Sequence, residues 1–164
     1  MINVYNLFAV RMVHCKLLIP LDLHKKIILF SENKYKEGDT ISCVKGFQFH
    51  KDFKGKKELD SILDNYMMIT HRLKINHSWL NVLGNDSLNL PHKHEGNDVI
   101  YSAAYYLSND NSIITFVKDD EIFEIKPKMF DLLIFPHNLV HYVLPGKKSD
   151  KRICYSFNLE KIHE

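Results

Sequence analysis

The chain is expected to fold as a mainly β domain, a sandwich or barrel of short strands, with a few helices confined to its first part. Two observations predict this. After His71, short β-favouring runs alternate with turn signals about every eight to twelve residues, the rhythm of an all-β architecture. Before His71 lies the best helical periodicity in the sequence, with Leu59, Ile62, Leu63, Tyr66, Met67 and Thr70 recurring on one side.

The elements follow in order. Residues 4–18 read as one strand, because Leu7-Phe8-Ala9-Val10 and Met12-Val13 are apolar and largely β-favouring, and Pro20 breaks it. Asp22 is the expected N-cap of a short helix through Phe30, with Leu23, Ile27 and Phe30 on one side. Residues 33–39 form a polar loop containing Gly38, and 40–47 a second strand. The long helix covers 56–71. Strands are expected at 73–82, 99–107, 112–117, 121–125, 132–135, 140–144 and 153–158. Turns are expected at Gly84-Asn85-Asp86, Asn109-Asp110-Asn111, Asp119-Asp120 and Pro145-Gly146. One domain is expected over 1–164, with 1–72 as strand and helix support on the outside of the sheet and 73–160 as the β core.

Composition excludes several classes of partner. The net charge is +2, from 22 basic and 20 acidic residues, which argues against nucleic acid or a membrane as an electrostatically driven partner. Lys54-Gly55-Lys56-Lys57 and Lys147-Lys148 read as solvated loop lysines. The three cysteines, Cys15, Cys43 and Cys154, are odd in number and have no metal-type spacing, so a reducing compartment is the simplest account. The N-terminal apolar stretch is interrupted by Asn6 and Arg11 and has no small-residue cleavage site, and no apolar run reaches the length of a membrane span. A cytoplasmic protein is expected, and the exposed early strands leave room for a homodimer.

Chemistry concentrates in His92-Lys93-His94, His141 and Arg152. Residues two apart on a strand share a face, so His92 and His94 both aim inward while Lys93 points out. Imidazole suits iron, zinc, copper and nickel alike, so ligand type alone does not choose the metal. In 152–158 polar and apolar residues alternate: Arg152, Cys154, Ser156 and Asn158 share one face, and Ile153, Tyr155 and Phe157 the other. His14, His24, His50, His71, His77 and His163 have no partner pattern and read as structural or exposed; His137, four residues before His141, reads as an exposed loop residue in preference to one that supports the site.

An ordered set of short motifs carries a resemblance. Trp79-Leu80-Asn81-Val82, His92-Lys93-His94, Ser102-Ala103-Ala104-Tyr105-Tyr106, Leu133-Ile134-Phe135-Pro136 through His141, and Arg152-Ile153 through Phe157-Asn158 follow one another. Tyr5-Asn6-Leu7-Phe8 and Gly46-Phe47-Gln48 add earlier pieces. In this the chain resembles the small iron(II)- and 2-oxoglutarate-dependent oxygenase-like proteins of bacteria and marine phages. The resemblance implies a double-stranded β-helix, the jelly roll shared with cupins. It also implies a dioxygenase, an oxidoreductase that hydroxylates a substrate while converting 2-oxoglutarate and dioxygen to succinate and carbon dioxide.

The same resemblance implies roles. His92, His94 and His141 would be the facial ligands of Fe(II), leaving its other face open. Arg152 would fork onto the far carboxylate of 2-oxoglutarate with two parallel bonds; its rival role is a surface ion pair, for example to Asp150. Asn81, Tyr105, Tyr106, Ser156 and Asn158 are further candidates for the co-substrate pocket, and Trp79 reads as core. Three matters stay open. The commoner facial triad has a carboxylate where His94 stands, so Asp98 or Glu95 competes with His94 as third ligand. A cupin-type dioxygenase or isomerase without 2-oxoglutarate would use His92, His94, Asp98 and His141. A non-catalytic sheet-based binding module is the reading from another class. The prime substrate is not named by the sequence.

Overall fold

The computed structural model describes residues 2–7, 10–34, 38–96, 98–109, 111–144 and 151–162, apart from the side chains of 5–7 and 85. Phe8, Ala9, Asp110, Pro145-Gly146, Lys147-Lys148, Asp150 and His163 lie outside the described residues, as do the readings that fell on them.

The described chain runs β1 (Ile2–Leu7), β2 (Val10–Lys16), α1 (Leu21–Asn33), β3 (Cys43–Phe49), α2 (Lys56–His71), β4 (Leu73–His92), β5 (Val99–Tyr106), β6 (Ile114–Lys118), β7 (Glu121–Ile125), β8 (Asp131–Pro136), β9 (Val140–Val143) and β10 (Arg152–Lys161). The strands form one curled antiparallel sheet in the order β1-β2-β8-β5-β10-β4-β9-β6-β7, with β3 paired to β4 beside this path. The curl is that of a jelly roll. It has an outer face covered by helices and an inner face turned on itself.

Two apolar clusters record these faces. The outer one joins Leu23 and Ile27 of α1, Leu59, Leu63 and Met67 of α2, and the sheet residues Leu80, Tyr105, Tyr155 and Phe157. Leu59, Leu63 and Met67 recur every four residues and are wholly buried, so this stripe decides how α2 docks. Gly55 caps α2 at φ 98°, and a Cβ there would come within 3.1 Å of Leu23 and 3.2 Å of Ile27, so the close approach of α1 requires glycine. The inner cluster gathers Met12, Leu83, Ala104, Tyr106, Ile114, Phe116, Phe135 and Cys154. All three cysteines are buried, and none is in a disulfide. Among the described residues, no helix is long and apolar enough to cross a membrane.

Three local expectations need correction. The run read as a single strand over 4–18 is the hairpin β1–β2, with Leu7 opposite Val10; its apolar sequence carries no turn residue, and only pairing reveals the reversal. Asp22 is not the N-cap of α1. Pro20 occupies that place and Asp22 sits in the first turn, where its charge suits the helix dipole. Gly84-Asn85-Asp86 does not reverse the chain. Val44 opposes Leu88 and Gly46 opposes Leu83, so β4 carries a wide bulge here. Asp86 and Lys45 take positive φ, while Ser87 Oγ accepts from Gly84 N and donates to Lys45 O. β4 therefore continues for 20 residues and carries the chain to His92.

Candidate metal centre

β4 and β9 build the centre by register. His92 lies directly opposite His141, so both rings project from the same inner face, with centroids 4.4 Å apart. His94 follows two residues after His92, beyond the end of β4. Its backbone is held in line by His137, whose carbonyl accepts from His94 N at 2.8 Å and whose Nδ1 lies 3.1 Å from His94 O. The three rings meet, and one ligand atom from each of His92, His94 and His141 lies within 4.8 Å of the others.

Each imidazole is locked in one tautomer. His92 Nδ1 lies 2.6 Å from Leu90 O, His141 Nδ1 3.0 Å from Leu139 O, and His94 Nδ1 2.6 Å from Asn158 Oδ1. Carbonyl oxygens only accept, so each Nδ1 carries the proton and donates, and each Nε2 keeps its lone pair. That is the tautomer that leaves Nε2 available to a metal. Two of the three rings are also kept neutral. Burial pushes His94 down to about 4, with His92 and His137 adding to the shift and the bond to Asn158 opposing it. Burial holds His141 well below its ordinary range, with His92, His94 and the Arg152 guanidinium reinforcing this against the bond to Leu139 O. Phe135 packs edge-on to His141 at 4.8 Å and supplies part of that dry wall. A donor set of three converging imidazoles fits a divalent transition metal.

Arg152 opens β10 and points into the same cavity, only 6% exposed. Its Nη2 donates to Tyr106 Oη at 3.0 Å and its Nη1 to Ser112 Oγ at 3.3 Å, and its guanidinium lies 5.0 Å from the Tyr106 ring centre. Tyr106 therefore faces the cavity side. Tyr105 does not line the cavity. Its ring joins the outer cluster and its hydroxyl donates to Leu17 O at 2.8 Å, as the alternation along β5 demands. Asn81 and Ser156 line the cavity and bond each other, Asn81 Nδ2 donating to Ser156 Oγ at 2.8 Å. Asn158 is spent on His94, and its Oδ1 also accepts from Ser102 Oγ at 3.2 Å. Asp98 and Glu95 are both exposed, neither belongs to the cluster, and Glu95 pairs with Lys93 at 3.3 Å.

Some of the site was not assigned from the sequence. Gln48 is buried and lines the cavity, donating through Nε2 to Asn81 Oδ1 at 2.7 Å and to Ser42 Oγ at 2.9 Å. Its signal was present, because it is the one polar residue between Phe47 and Phe49 in a strand. His137, read as an exposed loop residue, instead braces His94. Trp79 stands 5.4 Å from the His94 ring and continues into a stack with His77 and His50. Nothing in the sequence brought His50 and His77 together.

Residues 114–158 match a family model described as "Putative 2OG-Fe(II) oxygenase". The match includes His141 and Arg152 but stops short of His92 and His94. No curated protein matches the chain. Solved structures share its fold. A prolyl-4-hydroxylase of Pseudomonas putida superposes with a TM-score of 0.69 at 12% identity, covering 93% of each chain. A prolyl hydroxylase of Trichoplax adhaerens, solved with a hypoxia inducible factor peptide fragment, gives 0.68 at 14% identity, covering 92% of this chain and 83% of that one. HygX of Streptomyces hygroscopicus, solved with nickel, 2-oxoglutarate and hygromycin B, gives 0.67 at 9% identity over 92% and 82%.

Proposed function

We propose that this protein is an Fe(II)- and 2-oxoglutarate-dependent oxygenase that hydroxylates its substrate. The observation that carries the reading is the convergence of His92, His94 and His141 with their Nε2 lone pairs free, in one cavity with the buried Arg152. The family match over residues 114–158 and the fold shared with two prolyl hydroxylases support it.

In this reading His92, His94 and His141 hold the iron, which supplies the activation of dioxygen when bound. Arg152 receives the far carboxylate of 2-oxoglutarate. Tyr106 Oη and Ser112 Oγ hold the guanidinium in place before that carboxylate arrives, which lowers the ordering cost of binding. Asn81 and Ser156, tied to Gln48, form the polar side of the pocket. Phe135 and Phe116 keep water from His141. The balanced reaction joins one oxygen atom of dioxygen to a C–H bond of the substrate and the other to 2-oxoglutarate, releasing succinate and carbon dioxide. The cupin-type reading lacks its fourth ligand, because Asp98 is exposed and outside the cluster.

The test is anaerobic loading with Fe(II), followed by 2-oxoglutarate and air without added substrate. Slow formation of succinate that disappears in His141→Ala is the expected result. Stoichiometric iron with no consumption of 2-oxoglutarate would leave a metal-binding module instead.

A further inference from the structure

The three histidines are not held alike. His92 and His141 donate from Nδ1 to backbone carbonyls two residues earlier, Leu90 O and Leu139 O. Those acceptors are local backbone, Leu90 within β4 and Leu139 in the turn just before β9: Leu90 N is anchored to Ser42 O and Leu139 N to Pro136 O. His94 has no such local acceptor for its ring. Its Nδ1 meets a side chain from β10, Asn158 Oδ1 at 2.6 Å, 64 residues away in sequence.

We infer that Asn158 is a positioning residue, which fixes the tautomer and orientation of His94 so that Nε2 faces the centre. Ser102 completes the device. It lies directly across from Asn158 in the β5–β10 register, is wholly buried, and its hydroxyl donates to the same Oδ1 at 3.2 Å. Two donors therefore converge on one amide oxygen. If the amide were reversed, its NH₂ group would face both partners. His94 Nδ1 would then have to accept, and its proton would move to Nε2, where it blocks the lone pair. The amide orientation and the ligand's tautomer are one choice, and it is made by β10. The same strand presents Arg152, so the element proposed to anchor the co-substrate also aims the third ligand.

This rests on the metal-centre reading above, and its test is built to fail separately. The readout is the ring ¹⁵N spectrum of His94 in metal-free protein at neutral pH, assigned with a His94→Gln sample. In the parent protein and in Asn158→Asp, which keeps an acceptor, the proton should reside on Nδ1. In Asn158→Leu it should redistribute toward Nε2, and Fe(II) affinity should fall about 10–100-fold, with Asn158→Asp rescuing most of it. Ser102→Ala, a milder change should Asn158→Leu fail to fold, should shift the His94 population in the same direction by less. An unchanged tautomer in Asn158→Leu, or in Ser102→Ala if the first is unfolded, overturns the inference. A parent protein with His94 correctly protonated on Nδ1 but no iron affinity would count against the metal centre and not against the hold of Asn158 on His94.

Discussion

The two faces of β10 make different molecules of one strand. Toward the helices, Ile153, Tyr155, Phe157 and Leu159 are buried among Leu23, Ile27, Leu63 and Met67. Toward the inside of the curl, Arg152, Ser156 and Asn158 are held by hydrogen bonds to Tyr106, Ser112, Asn81, His94 and Ser102. The first face holds the fold together by removing apolar surface from water. The second holds polar groups in fixed directions, and it is the face that chemistry can use. A period of two lets one backbone serve both, so damage to the two faces should read out in different measurements.

The largest effect should come from the inner face. His92→Ala or His141→Ala should lower Fe(II) affinity by orders of magnitude, since two imidazoles make a poor site, while the metal-free protein still unfolds cooperatively. Trp79, the single tryptophan, stands 5.4 Å from the His94 ring, so quenching of its fluorescence in an anaerobic titration reports occupancy. Full occupancy of both variants at micromolar iron would dissolve the comparison. Arg152→Ala comes next. It should abolish 2-oxoglutarate binding, measured by calorimetry, and leave iron binding mostly intact. Arg152→Lys should recover only part, having lost the bidentate fork.

The outer face should show the reverse. Leu63→Ala removes a wholly buried side chain from α2 and should cost about 2–5 kcal/mol in urea unfolding. Its iron affinity, measured where the protein is folded, should be unchanged. A matched loss of both would mean that the faces are coupled. The smallest effect sharpens the comparison far from the site. Burial alone would raise the Asp131 carboxyl, but Lys128 N–H, His14 and Lys16 outweigh it and hold it below its ordinary range. Its contribution to stability is therefore full above the unfolded carboxyl's range and is lost as pH falls through the lower folded value. Asp131→Asn should flatten the acid limb of the stability curve by about 1 kcal/mol or less. The ratio of iron affinities between variant and parent should not change.

The same period of two explains what was legible in the sequence. The face assignment of 152–158 follows from alternation alone, and α2 follows from the spacing of Leu59, Leu63 and Met67. The pairing of His92 with His141 does not, because register between distant strands is set by the whole sheet. The hairpin within 4–18 and the bulge at 84–87 were illegible for opposite reasons: one has no turn residue, and the other has turn residues that the pairing of β3 and β4 overrides. Tyr105 and Tyr106 were legible only as a pair, since one of two neighbours must face away and the sequence does not mark which. Asn158 shared a face with Arg152 and so was expected in the co-substrate pocket. Its partner His94 lies in a segment beyond the end of β4, whose backbone is held by His137.

In the proposed reading, one inner face brings together a three-histidine metal centre and an arginine for a dicarboxylate. Anaerobic titration of the protein with Fe(II) and then 2-oxoglutarate tests it most directly. A visible metal-to-ligand charge-transfer band should grow to one equivalent of each, vanish in His141→Ala, and require far more 2-oxoglutarate in Arg152→Ala. Tight iron binding with no such band at saturating 2-oxoglutarate would contradict the account.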